Sequence, residues 1–434
     1  MPDRRVAITG LGVISSAGVG IEPFWQSLVA GEPTIGPITL FDASHYPSSV
    51  AGEVRNFSAR DYVPKHYRKA VKVMARDIEL AVAAADRAFR DAGITTRGID
   101  GEMDIDPKRL GCNVGAGLIN CELDELSAAA NSSMRDGQFD IKVWGREGIN
   151  NLTPLWLLKY LPNMLSCHVT IIHGAEGPSN CITCGDASAH LSVGESAGYV
   201  TDDIVDVVIA GGAESKLNPL GLLRQALMNR LCTGPVDSNV CRPFDTEHCG
   251  TVLGEGGGLL VLENMDHATA RNGRIYAEII GSGAACDPAG INVTAPTVGN
   301  MHLAVANALA DAGVSADDVD LIVAHGTGVA AEDDMEAEAW QKALGDRATQ
   351  VLAFAVTGAI GSLFAGAGGA ELAAAVMALH TQIVPPTCSF VGPADPCRLN
   401  LAAQPRRCDI TTAVSCSFTV GGQSAAVVLK RVES

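Results

Sequence analysis

The chemical spacing that stands out first is a Cys-x-x-Cys pair, Cys181 and Cys184. Such a pair holds zinc when a second pair shares the metal, or cycles as a dithiol beside a suitable fold. No second pair at metal spacing accompanies it, so two small core hydrophobes are the plainer reading. The thirteen cysteines are dispersed through the chain, and with no secretory pattern at the N-terminus they are expected to be reduced thiols. The run Val6-Ala7-Ile8-Thr9-Gly10-Leu11-Gly12-Val13 is glycine-punctuated but lacks the GxGxxG spacing of a dinucleotide site. His325 closes an apolar run as His325-Gly326-Thr327. A lone histidine is usually structural.

The elements that must position these residues read as α/β. Val6–Val13 is a buried strand, and further strands are expected over 205–210, 259–262, 351–356 and 425–429. A long amphipathic helix is expected from Lys69 to Ala92, with Met74, Ile78, Val82, Ala85 and Phe89 on one face and Gly93 as its cap. Strands alternating with helices imply largely parallel, doubly covered sheets.

An internal echo suggests duplication. Ala88-Phe89-Arg90-Asp91-Ala92-Gly93-Ile94 is answered by Ala308-Leu309-Ala310-Asp311-Ala312-Gly313-Val314. Each leads through a short acidic loop to an apolar strand ending in glycine, Leu110 to Gly117 and Leu321 to Gly326. Residues 118–173 are irregular, as in an insertion that packs on a partner or lines a pocket. The expected organisation is an N-terminal half, 1–255, carrying that insertion, and a C-terminal half, 256–434, in one compact body.

A net charge of −18 argues against nucleic acid or an anionic membrane as partner. No apolar run approaches the ~20 residues of a membrane helix, so a cytoplasmic protein is expected. The same charge makes an acidic protein a poor match unless a local basic patch or another subunit receives it.

Five ordered segments resemble the β-ketoacyl synthase family across almost the whole chain. They are VAITGLGVISSAGVG, GPSNCITCGDASAH, RPFDTEHCGTVLGEGGGLLVLE, VDLIVAHGTG and SFTVGGQS. The resemblance implies a thiolase-like fold of two duplicated α/β halves, in alternating helix and sheet layers. It also implies a dimer, no cofactor or metal, and condensation of carrier-bound acyl chains by one cysteine and two histidines.

Carried over residue by residue, the nucleophile falls on Asp186, because both flanks align without a gap. Cys184 lies two residues early and is the alternative nucleophile. The first histidine is His325, and Asp333 and Glu336 match acidic positions with a structural look. The second histidine falls on Ser362 (Ala359 in a competing frame), and the lysine before it on Thr357. In the gating loop Phe418 is kept and the gating phenylalanine becomes Val420.

A carboxylate is a poor nucleophile toward a thioester. It suits a helix N-terminus, where free N–H groups and the dipole favour an anion. The expectation is that Asp186 fills the pocket formed by its own N–H and that of Val420.

Three functions follow from this resemblance. The first is a silent subunit, like a chain-length factor, paired with an active ketosynthase as a heterodimer or with itself, and meeting acyl carrier protein directly or through that partner. The second is a repurposed thioester-acting enzyme using Asp186 and His325 as acid and base. The third is a condensing enzyme with Cys184 as nucleophile.

Overall fold

The computed structural model describes residues 4–234, 237–288, 300–395 and 397–432. The N-terminal half is built from strand β1 (Val6–Ser15), helix α1 (Arg76–Ala92), β2 (Leu110–Gly115), β3 (Ser179–Ile182), α2 (Ser188–Thr201), β4 (Val207–Ser215), α3 (Pro219–Leu227) and β5 (Glu255–Asn264). The C-terminal half holds β6 (Ala277–Cys286), α4 (Met301–Ala312), β7 (Leu321–Ala324), α5 (Ala330–Leu344), β8 (Leu352–Ala355), α6 (Ala367–Thr381), β9 (Asn400–Leu401), β10 (Thr412–Phe418) and β11 (Gln423–Lys430).

The strands form one mixed sheet in the order β9-β8-β7-β10-β11-β6-β1-β5-β4-β2-β3. Read outward from the junction of β6 and β1, each half repeats the same pattern. Three antiparallel strands, β1-β5-β4 or β6-β11-β10, are followed by parallel partners, β2-β3 or β7-β8.

The duplication extends to single side chains. Asp91 Oδ2 accepts the Leu11 N–H of β1, and Asp311 Oδ2 accepts the Ser282 N–H of β6, both at 2.9 Å. Gly93 and Gly313 end α1 and α4 in the left-handed region, at φ 65° and 66°. Gly12 and Gly283 have no room for a Cβ, because the backbones of α1 and α4 lie directly against them. A helix can lie this close to a strand only where the strand lacks a side chain.

Four expectations are corrected. The sheet is mixed rather than largely parallel, with antiparallel strands at its centre. The helix expected from Lys69 begins at Arg76, after a short turn at Ala70–Val73 and an extended break at Met74 and Ala75. Both break residues are buried, and Arg76 bonds to the Val54 carbonyl and to buried Glu255, so tertiary contacts override local propensity. Residues 118–173 are not irregular throughout but carry helices at Leu123–Ser132, Ile141–Arg146, Trp156–Lys159 and Met164–His173. The cysteines are not all reduced, since Cys232 and Cys249 form a disulfide across 17 residues. Eleven others are free.

No helix among the described residues is long and apolar enough to cross a membrane.

Candidate active site

After β3 the chain passes Thr183 and Cys184 and makes a short turn at Gly185–Ala187 before entering α2. Gly185 takes φ 55°, and a Cβ there would meet Thr419. Ser188 Oγ locks the turn, accepting the Cys184 N–H at 2.8 Å and donating to the Gly185 carbonyl at 2.6 Å. Asp186 is thereby held at the mouth of α2, only 5% exposed.

His325 arrives from the other half, one residue past β7. Glu336, on α5, accepts the N–H groups of His325 and Gly326 at 2.8 Å each. Asp333 accepts that of Thr327 at 2.8 Å, and Thr357 Oγ1 donates to the His325 carbonyl at 2.9 Å. Both acids shape the turn and stay out of the cavity. Burial pushes Asp333 up to about 7.

The imidazole of His325 stands between two carboxylates. Its Nδ1 is 2.7 Å from Glu371 Oε1, and its Nε2 is 3.6 Å from Asp186 Oδ1. Phe418 meets the ring edge-on at 5.1 Å. Burial alone would strip the histidine of its proton, but the charge of Glu371 and the pull of Asp186 win and raise its pKa well above the usual value. Burial likewise opposes ionisation of Asp186. The attraction of His325, then the charge of Arg230 and its own N–H, outweigh burial and lower its pKa. The two form a buried ion pair.

Behind Glu371 a hydrogen-bond chain continues. Ser417 Oγ donates to Glu371 Oε2 at 2.8 Å, so it must accept from His190 Nδ1 at 2.7 Å. His190 Nε2 then accepts from Ser415 Oγ at 2.8 Å. Burial lowers the His190 pKa to about 4, consistent with this neutral tautomer.

Asp186 opens into a cavity of about 470 Å³ lined by residues including Leu118, Glu214, Lys216, Gln225, Arg230 and Val420. Arg230 grips Glu332 with two hydrogen bonds, at 2.6 and 2.8 Å.

Models of the beta-ketoacyl synthase N-terminal and C-terminal domains match residues 3–268 and 276–391. The chain belongs to the beta-ketoacyl synthase family. It is 32% identical over 432 residues to 3-oxoacyl-[acyl-carrier-protein] synthase 2 of Synechocystis sp., covering 99% of each chain. It is 31% identical over 434 residues to the Coxiella burnetii protein of the same name, covering 100% of each. Among solved structures, the ishigamide ketosynthase/chain length factor superimposes with a TM-score of 0.86 at 28% identity, over 99% of this chain and 100% of that one.

Within this ketosynthase fold, Asp186 and His325 meet, Phe418 packs on the histidine and Val420 lines the same cavity, while Ser362 and Cys184 lie apart. Ser362 is buried in backbone pairing with Val252 and Gly254, away from the cavity lining. Cys184 also stays outside that lining, and burial raises its thiol pKa, which disfavours a thiolate. The expected carboxylate pocket is only half present. The Asp186 N–H favours its charge, but among the described residues no hydrogen bond reaches it from Val420. The carboxylate has turned to His325 instead.

Arg230, His190 and Ser417 were not found by motif, because their partners lie far away in sequence. Glu332, for example, is 102 residues from Arg230. Among the described residues, no three His, Cys, Asp or Glu side chains converge as a metal site requires.

Proposed function

We propose that this ketosynthase-family chain is a catalytically silent subunit of the chain-length-factor type, paired with an active ketosynthase in type II fatty acid or polyketide elongation. The observation that carries this reading is the Asp186–His325 ion pair, backed by Glu371. An acyl group on a carboxylate would be a mixed anhydride, open to rapid hydrolysis. A histidine held as imidazolium by two carboxylates has no lone pair to act as a base. With Ser362 and Thr357 at the positions matched to the second histidine and the lysine, the donors a condensation needs are missing, a loss worth ~10²–10³ in rate for one such donor.

Two surfaces support partnership. Strand β3, which leads to Asp186, is the outermost strand of the sheet, and among the described residues nothing pairs with its outer edge. Such an edge invites another chain. The neighbouring insertion and α3 expose Leu118, Ile141, Leu155, Leu157 and Leu227, each at least 59%. A dimer through this face, with an active ketosynthase or with a second copy, covers both features.

Carrier protein is supported by a local exception to the acidic charge. Lys65, Arg68, Lys69 and Lys72 are exposed side by side, with no ion-pair partner among the described residues. The turn at Ala70–Val73 packs against helix Trp156–Lys159, close in sequence to the cavity-lining Pro162. An acidic carrier docked there stands near the cavity.

The repurposed-enzyme reading draws on the approach of Asp186 to His325, but 3.6 Å exceeds hydrogen-bond reach and both groups carry charge within the pair. The test is intact mass after incubation with medium-chain acyl-carrier protein, alongside assays for free thiol and product. No adduct and no turnover is the expected result. An adduct lost in Cys184→Ala makes Cys184 the nucleophile, and turnover lost in Asp186→Asn makes this chain an enzyme.

A further inference from the structure

We infer that Gln225 and Arg230 form a fixed stop at the inner end of the Asp186 cavity and set the length of acyl chain it accepts. This rests on the reading above that the cavity shapes an acyl tunnel.

The cavity lining runs from exposed to buried side chains. Leu118, 60% exposed, marks the rim, whereas Asp186, Glu214, Gln225 and Arg230 are each under 9% exposed. Of these inner groups, Arg230 is the most firmly anchored. Its Nε and Nη2 donate to the two oxygens of Glu332, which is 1% exposed in the first turn of α5. Its Nη1 donates to Gln225 Oε1 at 2.9 Å.

The backbone is anchored as well. The Arg230 carbonyl accepts the Thr251 N–H at 2.7 Å, and the Cys232 N–H donates to the Thr251 carbonyl at 2.8 Å. The Cys232–Cys249 disulfide ties the same two segments together.

A longer chain cannot push this stop aside. Moving Arg230 would leave the Glu332 carboxylate buried without its counter-charge, a penalty larger than several buried methylenes return. Gln225 is different. It is neutral and reaches the cavity from α3, so trimming it lengthens the space without breaking the ion pair.

The probe is a series of S-acyl-pantetheines from butanoyl to dodecanoyl, titrated calorimetrically into the full chain. Affinity should rise about fourfold per methylene until a sharp limit, and then stop rising. Gln225→Ala should move that limit to longer chains, while Gln225→Leu, which preserves volume, should keep it. Affinity rising through dodecanoyl in the wild type, or no binding at any length, overturns the stop without recourse to a variant. So does an unmoved limit in a Gln225→Ala protein whose near-UV circular dichroism is native. A covalent acyl adduct seen by mass would count against the silent-subunit reading alone and leave the length limit standing.

Discussion

His325 Nε2 lies 3.6 Å from Asp186 Oδ1, so two residues 139 positions apart, one from each half of the fold, face each other as opposite charges in a buried pocket. The same contact stabilises the pocket and is the observation behind the proposed silent-subunit reading. It pairs two charges that burial would otherwise penalise.

Asp186→Asn should lower stability by about 1–3 kcal/mol, because a charge-assisted interaction becomes a neutral one in a buried site. Urea denaturation measures the loss. The His325 imidazole should also titrate at lower pH in the variant, as seen by its ring-proton NMR shifts.

Asp186→Cys should accept an acyl group from a carrier or thioester yet fail to condense it with a malonyl donor. A thiolate at the mouth of α2 is nucleophilic, whereas Ser362 remains where the second histidine would be needed. Mass spectrometry reads the first step and product analysis the second. Efficient condensation by this single variant would contradict the site as described.

Stability should decline as pH rises above ~6.5. The folded pKa of His325 is raised, so its contribution is complete below ~6.5 and lost as pH rises through its folded value. Asp77 and Asp333, raised to about 7 chiefly by burial, hold their full contribution below ~4 and lose it as pH rises to about 7. On the acid side, burial lowers His173 to about 3 and His190 to about 4. Their contributions are present above ~6.5 and lost as pH falls through those folded values. Asp186, also lowered, adds a loss at still more acid pH. His325→Gln should flatten the alkaline limb by up to one proton, about 1.4 kcal/mol per pH unit.

Arg230→Met should cost about 3–5 kcal/mol by stranding buried Glu332, and Arg230→Met with Glu332→Leu should recover most of it. A double-mutant cycle in urea gives the coupling. Independent, additive losses would show that the pair does not act as a unit.

Denatured without reductant, the protein should take up alkylating reagent at eleven cysteines, and at all thirteen after reduction. Thirteen labelled cysteines before reduction would rule out the Cys232–Cys249 bridge.

Much of the scaffold was legible in the chain. The Asp-Ala-Gly echo marked two helix ends, and its aspartates proved to hold the same strand position in each half. Local signals suffice there, since a glycine cap and an alanine-rich helix are written in adjacent residues. The start of α1 at Arg76 was not legible, because its cause is Glu255, 179 residues away.

The site divides along the same line. Sequence supplied Asp186 and His325 as the candidates that the family resemblance points to, and a carboxylate is a poor acyl acceptor. Only the tertiary structure decided that Asp186 turns to His325 rather than to Val420, that Glu371 completes the clamp, and that Arg230, in the cavity wall, is held by Glu332. A buried charge takes whichever counter-charge the fold brings within a few ångströms, and that pairing is set by how the two halves pack, which no local spacing encodes.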